Sequence, residues 1–218
     1  TPRQNVRDEV NHSEQFTFSL QDEQGNRIAR WQSDGITGDA KLRYTFSVQT
    51  MEEQFKLPDF ITYTPADDKK YRSTLEATEL IQKDADEVQL LAEQLGIDTL
   101  NNLVEIVKRV YHYSYNDIAK TKFSGETDAL VTLKLKEASC NGKSRLAVAL
   151  LRSLQIPSRL VGGVILTKGR KKTSHQWVEV LMANTWVPFD PLNGHLFYTP
   201  KNYLVLYHGD ESMFKRTA

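Results

Sequence analysis

Cysteine is nearly absent from this sequence, with Cys140 the one thiol in 218 residues. A single cysteine forms no internal disulfide and no thiolate metal site. Histidine is sparse too. His12, His112, His175, His195 and His208 lie far apart with no His-x-x-x-His pair, which argues against a metal enzyme. No apolar run approaches the roughly 18–20 residues needed to cross a bilayer. The densest runs, 147–151 and 161–166, are core-sized. Net charge is missing as well: 28 basic side chains balance 28 acidic ones. That removes any broad attraction to nucleic acid or anionic membrane. There is no internal repeat, low-complexity tract or secretory signal pattern. The chain opens on Thr1 rather than Met, and is expected to be a segment of a longer protein.

What is present suits a folded globular protein: 39% hydrophobic and 26% charged residues, with aromatics spread along the chain. The length fits one large domain or two small ones. Phe16, Phe18 and Leu20 alternate with polar residues, as do Leu42, Tyr44, Phe46 and Val48, and period two marks half-buried strands. With turn chemistry at Gly25-Asn26 and Asp34-Gly35, and a short strand at 28–31, residues 1–65 are expected to form a small antiparallel β unit. Helical spacing follows. Val88, Leu91 and Leu95 form one stripe, with Asp84 or Asp86 as its cap and Gly96 as its end. A second helix is expected from Asp98 through Leu103, Val107 and Tyr111, and a polar loop at 116–128. A third begins near Ser139-Cys140 and carries Leu146, Ala147, Leu150, Leu151 and Leu154, before Pro157 stops it. Strands at 159–166, 175–182 and 186–190 complete an α+β pattern, with 70–218 as the second domain.

The chemistry is expected from three residues. Cys140 stands at a helix N-terminus, where unpaired amides and the dipole favour a thiolate. On the strand that follows, alternation puts His175, Trp177 and Glu179 on one face and Gln176, Val178 and Val180 on the other. A two-residue loop at Ala183-Asn184 would pair Met182 with Thr185 and, counting outward, Trp177 with Asp190. His175 then becomes the diagonal neighbour of Asp190, roughly 7–8 Å away at the backbone and near enough for the side chains to meet. A thiol needs an imidazole to hold it as thiolate, and the imidazole needs an acid to fix its tautomer. Amides at the helix start would serve as an oxyanion hole. Trp177 is a candidate substrate contact, although both it and Trp186 also suit a core. Lys168, Arg170, Lys171 and Lys172 form a basic hairpin tip that suits a solvated turn better than an anion site.

Three motifs stand in register. Cys140 is followed by Leu151-Arg152, Ile156-Pro157 and Arg159; His175-Gln176-Trp177-Val178-Glu179 gives His-x-Trp-x-Glu; and Trp186 leads to Asp190-Pro191 as Trp-x-x-x-Asp-Pro. Together they resemble the active-site region of transglutaminase-like proteins. The resemblance implies a papain-like α+β core, with the cysteine-bearing helix packed on an antiparallel sheet. It implies Cys140 as nucleophile, His175 as general base and Asp190 as orienting acid, with no cofactor or metal. Two departures are visible: Gln155 replaces the family's glycine after the helix, and Ala138-Ser139 replaces a glycine-containing approach to the cysteine.

The stretch from Trp186 to Asp210 is most similar to the bacterial transglutaminase-like domain fused to seven transmembrane helices. That family is usually described as inactive, yet Cys140, His175 and Asp190 are all retained here. The resemblance implies an extracytoplasmic (periplasmic) domain attached to the membrane through segments beyond this chain. Its partner would be a peptide, protein or cell-wall amide, not nucleic acid. Three functions remain open: cysteine-dependent acyl transfer or amide hydrolysis, a catalytically inactive binding or sensory module coupled to membrane helices, and a purely structural domain within a membrane assembly.

Overall fold

The computed structural model describes residues 4–23, 25–66, 69–121, 127–168 and 172–210. The first part of the chain forms two antiparallel ribbons. Strand β1 (Gln4–Asn11) pairs with β4 (Tyr44–Thr50), and β2 (Thr17–Glu23) pairs with β3 (Asn26–Gln32). Phe18, Trp31, Tyr44 and Phe46 meet as an aromatic cluster with ring centroids 5.2–6.3 Å apart. A short strand β5 (Glu53–Gln54) then leads to the helices.

Helix α1 (Asp86–Gln94) starts after Ala85, which supplies no side-chain cap; Asp86 and Glu87 instead face the dipole in the first turn. Neither candidate aspartate is therefore the cap. Gly96, in the left-handed region at φ 59°, ends the turn that follows. Helix α2 (Leu103–His112) begins five residues later than expected, because Asn102 rather than Asp98 accepts from the Val104 amide. A π-helical turn, Tyr113–Asp117, and a two-residue strand β6 (Ala119–Lys120) occupy part of the expected loop. Residues 122–126 lie outside the described part. A further helix that periodicity did not reveal, α3 (Ala129–Leu135), is capped by Asp128, and β7 (Glu137–Ala138) lies parallel to β6.

Helix α4 (Cys140–Ser153) runs as expected, and residues 142–152 are all buried. Ser139 is its N-cap residue, with no hydrogen bond from its side chain. A methyl group on Gly142 would meet the Thr127 and Thr132 hydroxyls at 2.2 and 2.3 Å, so only glycine lets the cysteine-bearing end seat against α3. At the other end Ile156 N donates to Leu151 O and Gln155 N to Arg152 O, a Schellman closure. Arg152 is fully buried, gives bidentate hydrogen bonds to Asp210, and also bonds Ser158 O and Glu76 O.

The remaining strands are β8 (Ser158–Leu166), β9 (Lys172–Met182), β10 (Thr185–Asp190), β11 (His195–Leu196), β12 (Tyr198–Thr199) and β13 (Tyr203–His208). Five of them form a sheet in the order β11-β10-β9-β8-β13. The β9–β10 hairpin turns at Ala183 and Asn184, both at positive φ as a type I′ turn requires. It pairs Met182 with Thr185 and Val178 with Phe189, the register anticipated from the sequence. Val178, Val180, Val187 and Phe189 join Leu146, Ala147, Leu150 and Leu151 in the main core, so α4 packs on that face. On the opposite face Val161, Trp177, Tyr203 and Val205 form a second cluster. His195 and Tyr203 lie on the two outermost strands, yet their rings are 5.7 Å apart. The sheet therefore curls into a half-barrel. At Gly163 a methyl would meet Leu204 O at 2.0 Å, so glycine here lets β13 close against β8.

The N-terminal ribbons cover the exposed edge of β13 with side-chain amides. Gln4 exchanges two hydrogen bonds with Val205, and Asn26 does the same with His208. Edge strands left bare invite mispairing, and these amides occupy that edge. Strands β5 and β12 pair to make a further link. Of the basic hairpin tip, Arg170 and Lys171 lie outside the described residues.

Gln155 holds φ 56°, the left-handed conformation that costs a side chain about 1–2 kcal/mol and glycine little. After glycine's extra unfolded-state entropy, Gln155→Gly is expected to stabilise the fold by about 0.5–1 kcal/mol in urea unfolding. A loss of stability would show that the Gln155 side chain makes compensating contacts.

Candidate active site

Two elements meet here: the N-terminal tip of α4 and the β9–β10 hairpin. The first brings Cys140 and the second brings His175 and Asp190. His175 Nε2 lies 2.6 Å from Asp190 Oδ2, and both side chains are almost fully buried. On the other side the imidazole is hydrogen-bonded to the Cys140 thiol, which also receives the Gln176 backbone amide. With Nε2 given to Asp190, Nδ1 is the nitrogen left for the sulfur. The structure thus brings all three candidate residues into one chain of hydrogen bonds.

Asp190 accepts five donors. His175 Nε2–H, the Tyr203 hydroxyl (2.7 Å) and Asn193 Nδ2–H (3.0 Å) converge on Oδ2, while the Leu192 and Asn193 amides bond Oδ1. Burial pushes the carboxyl up, but these donors and the imidazolium charge outweigh it and hold it down at about 2. For His175 burial likewise opposes charge. Hydrogen bonds to Asp190 and Cys140, with their charges, overcome it and raise the imidazole to about 9. Burial also pushes the Cys140 thiol up, and the His175 hydrogen bond and charge reverse this to a value below the ordinary one. The favoured resting state is a thiolate–imidazolium pair above an ionised aspartate.

Trp177 is placed differently from the expectation that it contacts substrate. It is 1% exposed, packs with Val161, Tyr203 and Val205, and stacks on His175 at 5.9 Å between centroids. It backs the imidazole and offers no free face. Glu179, the last residue of the His-x-Trp-x-Glu motif, is equally structural. It takes two hydrogen bonds from Arg159, whose guanidinium lies 4.1 Å above the Trp186 ring.

Several residues around the site were not anticipated. Asn193 follows Asp190 in the turn. Tyr203 reaches in from β13, a strand whose pairing with β8 no local pattern announces. Lys143, 2% exposed, donates to Tyr115 O at 3.1 Å and is depressed by burial and by nearby Lys120. Among the described residues no group of His, Cys, Asp and Glu is arranged to hold a metal ion.

Residues 89–191 match the model of the Transglutaminase-like superfamily, a span that contains Cys140, His175 and Asp190. Over that span the chain is transglutaminase-like. Among solved structures, a proposed cysteine protease from Cytophaga hutchinsonii superposes with a TM-score of 0.72 at 19% identity, over 96% of this chain and 72% of that one. That similarity establishes a shared fold, the papain-like transglutaminase core. The ethylmercury-bound periplasmic domain of TgpA from Pseudomonas aeruginosa aligns with a TM-score of 0.47 at 15% identity, over 86% of this chain and 74% of that one. Red sea bream transglutaminase gives 0.40 at 13% identity, over 88% and 46% respectively. Likenesses as distant as these two carry no weight on the chemistry. No curated protein matches the sequence.

The perturbed groups in this transglutaminase-like domain set how stability depends on pH. Asp190 is depressed from 3.8, so its contribution is present above pH 3.8 and is lost as pH falls to about 2. His175 is raised from 6.5, so its contribution is full below pH 6.5 and is lost as pH rises through about 9. The lowered Cys140 thiol works in the opposite sense, gaining stabilisation as pH rises toward its ordinary value. The testable limb is the acid one. Between pH 4 and pH 2 the stability advantage of the wild type over Asp190→Asn in urea unfolding should shrink by about 2 kcal/mol. An advantage that does not vary with pH would contradict the assignment.

Proposed function

We propose that the chain is an extracytoplasmic cysteine-dependent acyltransferase or amidase domain of a bacterial membrane protein, acting on a glutamine-type or peptide amide. The observation that carries the catalytic part is the continuous path from thiol to imidazole to buried carboxylate, closed by the 2.6 Å His175–Asp190 contact. The cellular setting rests on the resemblance of the stretch from Trp186 to Asp210 alone. No helix among the described residues is long and apolar enough to cross a membrane.

The reaction follows from the charges. Cys140 thiolate attacks the amide carbonyl carbon, forming a C–S bond while the carbonyl π electrons move to oxygen. The backbone N–H of Cys140, at the first position of α4, has no acceptor within its own helix and suits the developing oxyanion. As the tetrahedral centre collapses, the C–N bond breaks and His175 Nδ1–H gives its proton to the leaving nitrogen. A thioester on Cys140 remains. An amine or water then attacks it, with neutral His175 taking the incoming proton, and the thiolate leaves. Asp190 keeps its negative charge throughout and stabilises the imidazolium. No cofactor enters any step.

Incubation with a glutaminyl peptide and hydroxylamine tests this proposal. The wild type should form hydroxamate and show, by intact mass, an acyl adduct confined to Cys140. Cys140→Ser should show neither, and His175→Ala should fall by at least about 100-fold. Equal turnover in all three proteins would contradict the reading. Ligand-dependent thermal stabilisation that persists in Cys140→Ser, with no turnover in the wild type, would support the binding module instead.

A further inference from the structure

Asp190 receives more support than an orienting acid requires from its own turn, and the excess comes from a distant strand. Tyr203 lies on β13, the far edge of the curled sheet, with two strands between it and β10. Its hydroxyl donates to Asp190 Oδ2 at 2.7 Å and accepts from Asn193 Nδ2 at 2.8 Å. Asn193 Nδ2 carries two protons, and its second goes to the same Oδ2 at 3.0 Å. Both donors of that amide and the one proton of the phenol are thus committed to a closed ring around the carboxylate oxygen that holds His175. Asn193 Nδ2 also sits 3.2 Å from His175 Nε2, a contact between two donors when Nε2 is protonated. That contact disfavours rotation of the imidazole toward Asn193. The Tyr203 ring stands edge-on to His175 with centroids 5.6 Å apart, and at 65° to Trp177 with centroids 5.2 Å apart. The imidazole is held between the Trp177 face and the Tyr203 edge.

We propose that Tyr203 and Asn193 are positioning residues that act on the reaction through Asp190, fixing the carboxylate oxygen and the His175 ring so that Nδ1 faces the thiol. The proposal rests on the catalytic reading of Cys140, His175 and Asp190 and adds to it two residues that touch neither sulfur nor substrate. Each contributes a charge-assisted hydrogen bond, the stronger class, to a carboxylate almost wholly shielded from water. Among the described residues, the other titratable groups facing this carboxylate and its Tyr203 donor are Cys140 and Lys143 on α4, Tyr111 on α2, His175 on β9 and His195 on β11, which pairs with Asp190 and whose ring lies 5.7 Å from that of Tyr203. Tyr111 is pushed up to about 12 by burial, Tyr115 and Asp190, and stays neutral through the working range. Lys143 gives its hydrogen bond to Tyr115 O and acts on Asp190 through its charge. Neither replaces the donors that Tyr203 and Asn193 supply.

Loss of the phenol hydroxyl loosens the oxygen that orients the imidazolium, and the thiolate it balances weakens with it. The acid limb of thiolate formation should then move up. The experiment is the pH profile of Cys140 alkylation by iodoacetamide in the wild type, Tyr203→Phe, Asn193→Ala and His175→Ala. Urea unfolding at pH 7 identifies any variant that fails to fold. Tyr203→Phe retains the ring and its packing, so it isolates the hydroxyl, and Asn193→Ala tests the same oxygen from the turn.

The expected result is an acid limb moved to higher pH in Tyr203→Phe and Asn193→Ala. The acid limb should rise by about half a unit to one unit, about three- to tenfold less thiolate below it. Superimposable profiles, or an acid limb moved to lower pH, in the two folded variants, with the acid-side reactivity still abolished by His175→Ala, would overturn the positioning role and leave the catalytic reading intact. If His175→Ala itself keeps the wild-type profile, the catalytic reading fails and this inference falls with it.

Discussion

A carboxylate removed from water stays ionised only where donors replace the solvent, and the site is organised around that constraint. Asp190 is 2% exposed and would be neutral in an apolar setting. Five hydrogen bonds keep it charged, and that charge raises the imidazole beside it. The raised imidazole lowers the thiol in turn. Each step shifts the next group in the direction acyl transfer needs, and the sequence of shifts begins with a single buried oxygen.

The fold serves this arrangement by joining parts remote in sequence. Helix α4 presents Cys140 at its tip because Gly142 lets that end seat against α3. The hairpin sets His175 against Asp190 through a two-residue turn. Curling of the sheet brings β13 across, so that Tyr203 closes the ring from a strand two places removed from β9. Gln4 and Asn26 hold the outer edge of that strand, which ties the N-terminal ribbons to the strand that supports the acid.

What the sequence discloses and what it hides divide along the range of the interactions. The α4 stripe, the pairing of Met182 with Thr185 and the three candidate residues that meet at the site are legible, because period, turn chemistry and motif spacing are local signals. Asp98 is a plausible cap by type, but Asn102 wins because its side chain also bonds Ile61 N and Asp59 O from an earlier segment. Helix α3 is too short for its stripe to stand out. Trp177 reads equally well as platform or core until the sheet curls and covers it. Tyr203 carries no local mark of its role, since the pairing of β13 with β8 spans about forty residues. Gln155 is legible as a departure, while its left-handed backbone is not.

The central claim is that Cys140 rests as a thiolate paired with protonated His175. With one cysteine in the chain, thiolate ultraviolet absorbance reports Cys140 alone. Titrated from acid to alkaline pH, the wild type should show thiolate at neutral pH, and His175→Ala should delay it to the range of an ordinary cysteine, about pH 8.5. A wild-type thiol that ionises only in that range, unchanged by loss of the imidazole, would contradict the account.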